Sequence, residues 1–487
     1  MRWHPTQAPL AASVIALGCG GGGQAPDTSV DATTSPTSSS GSSGGSETGD
    51  DTPAIFHLEL DDASGVISLL RDDEVLVSLP ADAFVLGQVD AIDDDASYDP
   101  AHELAVDFVA PSSVTRGAGG LLTVQLAYPG GTAASVRFDE DASGRFSATL
   151  TLDPVGPPTA AFRIRVRCDP TDRFYGMGEV FDEVEHRGRA RPMQLEADLQ
   201  FEGGSNEAHV PVPLVIGTRG WGVFVQDDHP GLFELASEED DLVQITYGVG
   251  PHADAGLRFH LYGAEHPLDI TAHYWATTGA PAIPAPWATG PWLWRNENTD
   301  AAQVIADAEA IRDLDLPHSA LWIDRPYATG VNTFDFDQAR FADPAAMIDT
   351  LHDLGLRVAL WHTPYVSTTD EPATDLAAEA LASGYYPEPY GLLLNAWSAP
   401  PIDFTNPDAY DWWSALLDDY TALGIEGYKL DYGEDVVTGL GAARVPWAFA
   451  DGSDERTMYG RYHSAYHGPY ADALPPSGGF ILARAGT

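Results

Sequence analysis

The run Pro407-Asp-Ala-Tyr-Asp-Trp-Trp-Ser-Ala-Leu-Leu-Asp-Asp-Tyr-Thr-Ala-Leu-Gly-Ile-Glu-Gly-Tyr-Lys-Leu-Asp431 decides the fold. Pro407 to Gly424 reads as a helix, and Gly427 to Asp431 as a short strand. A helix feeding a strand is half of a βαβ unit. The same rhythm extends on both sides. Strands are expected at Ala288–Leu293, His318–Ile323, Leu356–Trp361, Gly427–Asp431 and Gly479–Arg484, with helices at Ala301–Leu314 and Pro344–Gly355 between them. Strand, helix, strand in this order means a parallel sheet, and its closed form is a (β/α)8 TIM barrel. Residues 283–487 hold the first five strands of such a barrel, which is therefore expected to be incomplete.

Upstream the pattern differs. Residues 54–282 carry short alternating apolar runs divided by Gly, Pro, Asp and Asn clusters. In Thr159–Arg167, Phe162, Ile164 and Val166 face one way and Arg163, Arg165 and Arg167 the other. That period of two is a half-buried strand, as is Gly120–Ala127, and the whole region reads as an antiparallel β-sandwich. Residues 20–53 are mostly Gly, Ser, Thr and Asp; they cannot build a core and are expected to be a disordered linker.

Residues 1–19 have the shape of a signal peptide, with Arg2, an apolar stretch Leu10–Leu17, and Gly18 before Cys19. Ala16-Leu17-Gly18-Cys19 resembles a bacterial lipobox, so Cys19 is expected to be lipidated and the protein exported, as a cell-envelope lipoprotein or extracellular. Lipidation would leave Cys168 without an intrachain partner. The 487 residues include 73 Asp plus Glu against 24 Lys plus Arg, a formal charge of -49. Such a surface repels nucleic acid and does not dock on anionic lipid by charge, leaving the N-terminal anchor as the expected membrane contact. The excess acid suits solubility, and no run has the ligand spacing of an EF-hand. No metal or cofactor is expected.

In parallel barrels catalytic groups stand at the C-terminal ends of the strands. Here those ends carry Trp294 with Arg295, Asp324 with Arg325, Trp361 with His362, Lys429 with Asp431 and Glu434, and Arg484. Aromatic rings stack on the C–H faces of a sugar while carboxylates and cations bind its hydroxyls. Lys429 is the single lysine among the 24 basic residues. Two apart on a strand, Lys429 and Asp431 face the same way. A cation beside a carboxylate favours its ionised, nucleophilic form.

The segment Gly427-Tyr-Lys-Leu-Asp-Tyr-Gly-Glu434 resembles the nucleophile motif of glycoside hydrolase family 31. Arg173-Phe-Tyr-Gly-Met-Gly-Glu179 with Arg187-Gly188 resembles the family's signature near the end of its sandwich. Trp322-Ile-Asp324 with Phe334-Asp-Phe-Asp337, Phe341 and Asp343-Pro344 resembles the stretch after strand two. Leu360-Trp361 with Pro364, Asp403-Phe-Thr-Asn-Pro407, Arg461-Tyr-His463 with Tyr466, and Ile481-Leu-Ala-Arg-Ala485 agree in order and spacing. The resemblance implies a retaining α-glycoside hydrolase acting on oligo- or disaccharides. Asp431 would be the nucleophile, Glu434 would support it, and Asp324, Trp361, His362, Lys429, Arg484 and Trp294 would bind substrate. It also places the acid/base aspartate in a Trp-x-Gly-Asp segment beyond the arginine strand. The sequence ends before such a segment, so this chain is expected to be a fragment with little or no activity. A non-catalytic carbohydrate-binding lipoprotein and an α-transglycosylase are the alternatives. His362 stands where many members are apolar, and Asp324-Arg325-Pro326 lacks the second acid of typical α-glucosidases.

Overall fold

The computed structural model describes residues 53–486 apart from 103, 154, 181, 194–207, 326, 369–372, 391–399, 435, 437–438, 441–442 and 445. The expected signal peptide, lipidated Cys19 and nearly all of the linker lie outside the described residues, as does Pro326.

Residues 56–263 form two facing antiparallel sheets, one of nine strands and one of eight. Alternation builds their core. Along Thr159–Arg167, Phe162, Ile164 and Val166 are fully buried against Phe84, Val136, Phe138 and Phe259. On the outer face Arg165 reaches Asp82 at 2.6 Å and Arg167 reaches Asp241 at 2.6 Å. The strand expected from Gly120 begins instead at Leu122. Gly120 sits at φ +64, where a Cβ would come within 2.8 Å of the Phe138 carbonyl oxygen, so it belongs to the turn. A helix, Ile270–Thr278, closes the region and was not expected. Its sequence is rich in β-branched and aromatic residues, which read as strand. Packing overrides that preference, with Ile270 buried against Gly222.

The five barrel strands are Trp292–Arg295, Ala320–Ile323, Arg357–His362, Gly427–Leu430 and Phe480–Ala483. All are parallel and pair in chain order. Among the described residues the first and fifth are not paired with each other. The first strand starts four residues later than Ala288, because Pro286–Thr289 winds into a 3-10 turn and Pro291 has no N–H to give the sheet.

Three expected helices are present as Ala301–Asp313, Pro344–Asp353 and Pro407–Ala422. Their starts are capped by Asp300, Asp343 and Asn406, whose side chains accept from backbone N–H groups inside the first turn. Ala409, Trp413, Leu417 and Tyr420 make the buried stripe of the third. Among the described residues the region has two further helices, Ala373–Ser383 and Glu455–Ala473. The latter contains Gly460, Gly468 and Pro469, and only the family resemblance pointed to it.

That last helix also fastens barrel to sandwich. Arg456, 1% exposed, donates to the carbonyls of Asp94 and Ala96 at 3.1 and 3.0 Å, and Tyr459 donates to the Met193 carbonyl. Arg444 reaches the Asp94 carbonyl and the Glu455 carboxylate.

Candidate active site

Strand register sorts the site residues. Trp294 lies beside Trp322, Trp322 beside Ala359, and Ala359 beside Gly427. One step along, Trp361 pairs with Lys429 and Lys429 with Leu482. These positions share one face of the sheet, the concave one. The other face carries Leu321, Ile323, Val358, Leu360, Tyr428 and Leu430, all buried against the helices.

Asp431 follows the fourth strand at the mouth of the concave face. The Lys429 ammonium is 2.5 Å from its Oδ2. Trp361 donates Nε1–H to the same oxygen at 2.8 Å. Oδ1 has the longer contact, 3.4 Å to Arg484 Nη1. Arg484 also holds Glu434, Nε to Oε1 at 2.8 Å, and its guanidinium lies over the Tyr432 ring, 4.9 Å from the centroid. Tyr432 has φ +56, a left-handed turn that ends the strand immediately after the carboxylate. The Asp431 amide donates to the His362 carbonyl at 2.8 Å, which fixes the turn to the neighbouring strand.

Asp324 is buried beside this group. Trp294 and Trp322 donate indole N–H bonds to its Oδ2, at 2.7 and 3.2 Å, and their rings stack 5.6 Å apart. Burial raises the Asp324 carboxyl above its ordinary range, and the two indoles and the Lys429 charge oppose that shift. Trp294 is 48% exposed, leaving one side of the stack open. Arg325 stands across the Trp361 ring, 5.9 Å from its centroid. Trp292 packs on Trp287 and Phe480 and belongs to the barrel filling.

The structure thus gathers Asp431, Lys429, Trp361, Arg484, Glu434, Asp324 and Trp294 at one end of the sheet. His362 is not among them. As the next residue after Trp361 it points to the opposite face, paired in register with Leu430. It is 0% exposed, ringed by Tyr327, Phe334, Tyr420, Tyr428 and Tyr470, and Nδ1 meets the Tyr470 hydroxyl at 3.0 Å. Burial pushes its pKa down to about 3, so it is a neutral packing group. The expectation that His362 binds sugar is corrected on this ground. Two residues absent from the expected set belong to it. Trp322 holds Asp324, and the Tyr466 hydroxyl lies 3.5 Å from the Asp431 carbonyl oxygen. Trp322 is two before Asp324, so alternation alone could have found it; Tyr466 lies 35 residues beyond Asp431, and only the family resemblance singled it out. Among the described residues no cluster of three or more His, Cys, Asp or Glu side chains could hold a metal ion, and no helix is long and apolar enough to cross a membrane.

Comparison with known proteins gives this arrangement a class. Residues 281–487 match the glycosyl hydrolases family 31 TIM-barrel domain, and residues 123–234 match the glycosyl hydrolase 31 N-terminal galactose mutarotase-like domain. Sandwich and barrel alike are those of a glycoside hydrolase. An alpha-xylosidase, XylQ, of Lactiplantibacillus pentosus is 27% identical over 309 residues, 61% of this chain and 38% of that protein. An isomaltosyltransferase of Sporosarcina globispora is 25% identical over 332 residues, 61% of this chain and 29% of that protein. Among solved structures, a family 31 sulfoquinovosidase from E. rectale, in complex with an aza-sugar inhibitor, superposes with a TM-score of 0.67 at 15% identity, covering 88% of this chain and 66% of that one. The match to these two sequence relatives spans well under half of their lengths. The chain belongs to glycoside hydrolase family 31.

Proposed function

We propose that the protein is an exported retaining α-glycosidase, with Asp431 as nucleophile and a terminal α-linked sugar of an oligo- or disaccharide as substrate. One observation carries this reading: a carboxylate at the mouth of the parallel sheet, held by an ammonium, an indole and a guanidinium. Oδ2 is occupied by two close donors, so Oδ1 is the oxygen that attacks the anomeric carbon. The bond to the leaving oxygen breaks as the glycosyl ester forms, and water then cleaves the ester. Asp324 accepts hydrogen bonds from sugar hydroxyls, with the exposed Trp294 ring beside it, and Arg484 and Lys429 offset the charge of the site.

A retaining reaction also needs a second carboxyl group, about 5 to 5.5 Å from the first, that protonates the leaving oxygen and activates water. The family resemblance assigns it to a Trp-x-Gly-Asp segment beyond the arginine strand. The activity proposed is that of a protein carrying this segment, and such help is worth about a hundred- to ten-thousandfold in rate. Transfer to a second sugar is the other reading, favoured by the likeness to an isomaltosyltransferase. Lipidation at Cys19 would hold the enzyme at the cell envelope.

The test is a panel of aryl α-glycosides, with and without acceptor sugars, on the protein containing the acid segment and on its Asp431→Ala variant. Release of the aryl group with retained anomeric configuration, abolished in the variant, is the expected result. Undiminished turnover in Asp431→Ala would sink the assignment.

A further inference from the structure

We infer that the seam between sandwich and barrel carries a second, non-catalytic carbohydrate site, sized for one hexose ring, with Phe224, Tyr247, Tyr274 and Tyr459 as its walls and Asp228 at its rim. The cavity holds about 170 Å³. Sandwich strands Trp221–Val225 and Leu242–Gly248 supply Phe224 and Tyr247, the helix Ile270–Thr278 supplies Tyr274, and the barrel helix Glu455–Ala473 supplies Tyr459 and Gly460. None of its lining residues holds Asp431 or Asp324. The inference rests on the family's carbohydrate chemistry but not on the role given to Asp431.

Three features point to a sugar. The first is the wall: Tyr274 stands edge-on to Phe224 with centroids 5.1 Å apart, and Pro211 and Pro213 add further apolar faces. Such faces stack on the C–H surface of a pyranose. The second is Tyr247. It is 1% exposed, and its hydroxyl meets no hydrogen-bond partner among the described residues. A buried phenol ordinarily has one, and a sugar hydroxyl can both give and accept. The third is the rim. Asp228 is exposed with Arg461 3.8 Å away, and Asp227 beside it takes the His229 Nδ1 contact at 2.7 Å. Carboxylates accept from hydroxyl groups.

The surrounding seam is tight rather than loosely packed. At Gly460 a Cβ would come within 3.0 Å of the Asp228 carbonyl oxygen, so helix and sandwich touch backbone to backbone beside the cavity. A ring held there would bridge the two regions. It would take either a second sugar molecule or a remote unit of a long oligosaccharide.

Aromatic walls with carboxylates also suit an alkylammonium ion, which the test must separate. The experiment is calorimetric titration of the chain with maltotriose, isomaltotriose and tetramethylammonium. Three seam variants, Tyr274→Ala, Asp228→Asn and Tyr247→Phe, are run beside the barrel variant Trp361→Ala. Tyr274 is only partly buried, Asp228 is exposed and Tyr247→Phe removes one oxygen, so at least one seam variant is expected to keep the wild-type melting temperature.

The expected result is trisaccharide binding that survives Trp361→Ala and weakens about tenfold or more in Tyr274→Ala. Binding abolished by Trp361→Ala and untouched by every seam variant overturns the seam site and leaves the barrel reading standing. Binding that only the seam variants weaken upholds the seam site and counts against the barrel. Tetramethylammonium bound at the seam without any trisaccharide overturns the sugar assignment, and no binding of any probe overturns the site.

Discussion

Lys429 Nζ stands 2.5 Å from Asp431 Oδ2, so the one lysine in the sequence is spent on the one carboxylate at the centre of the site. A compact ammonium reaches an oxygen two residues along a strand, where a guanidinium is longer and planar. Lys429→Met is expected to lower turnover at least about tenfold, the rate equivalent of about 1.4 kcal/mol. Lys429→Arg is expected not to restore it. Steady-state rates on an aryl α-glycoside decide this, and an arginine variant with full turnover would contradict it.

Asp324 offers a trade between stability and binding. Burial raises its pKa in the folded chain. Folding therefore favours its protonated form, and that stabilisation is lost as pH rises through the folded value. Asp324→Asn should accordingly melt higher than wild type at pH 7, with the gap closing below about pH 4. Substrate affinity should fall in the same variant, because the asparagine replaces one acceptor oxygen by a donor. A variant that melts lower at pH 7 would contradict the sign.

His362 gives the opposite sign. Its folded pKa lies near 3, well below the ordinary histidine value of 6.5. The unfolded chain binds the proton more readily between those limits, so the contribution is complete above about pH 6.5 and is lost as pH falls toward 3. Its full amplitude is on the order of 4–5 kcal/mol. Urea unfolding midpoints at pH 7 and pH 4.5 should therefore drop further in wild type than in His362→Phe. Equal drops would show that His362 is not buried as described.

Arg456 carries much of the seam. Removing it takes the donor from the Ala96 carbonyl, leaves the Asp94 carbonyl to Arg444 alone, and strips Asp454 of a partner 3.1 Å away. Arg456→Ala is expected to cost about 3–5 kcal/mol, the usual effect of breaking a buried pair. Thermal unfolding checks it, and a loss below about 1 kcal/mol would mean that other contacts hold the seam.

The sandwich, the order of barrel strands and the position of the nucleophile candidate were all legible in local pattern. Phe162, Ile164 and Val166 showed a buried face because a strand repeats every two residues. The strand ends collected the site for the same reason: Asp324 and Asp431 each follow an inward residue by two. That rule also contained the correction to His362. Trp361 and His362 are adjacent, so only one of them can face the sugar. The helices Ile270–Thr278 and Glu455–Ala473 were harder, since aromatic, β-branched, glycine and proline residues hide helical periodicity that packing then supplies.

The sequence by itself determined which residues alternate together, where parallel strands alternate with helices, and which charged and aromatic groups stand at the strand ends. Tertiary structure alone decided that Trp361 rather than His362 shares a face with Lys429, that Trp294 reaches Asp324, that Arg484 joins Asp431 to Glu434, and that Tyr274 and Tyr459 line one cavity. The reason is physical. Periodicity is a property of neighbouring residues, whereas each of these contacts joins segments far apart in the chain, and it is the register and packing of whole strands and helices that brings them within reach.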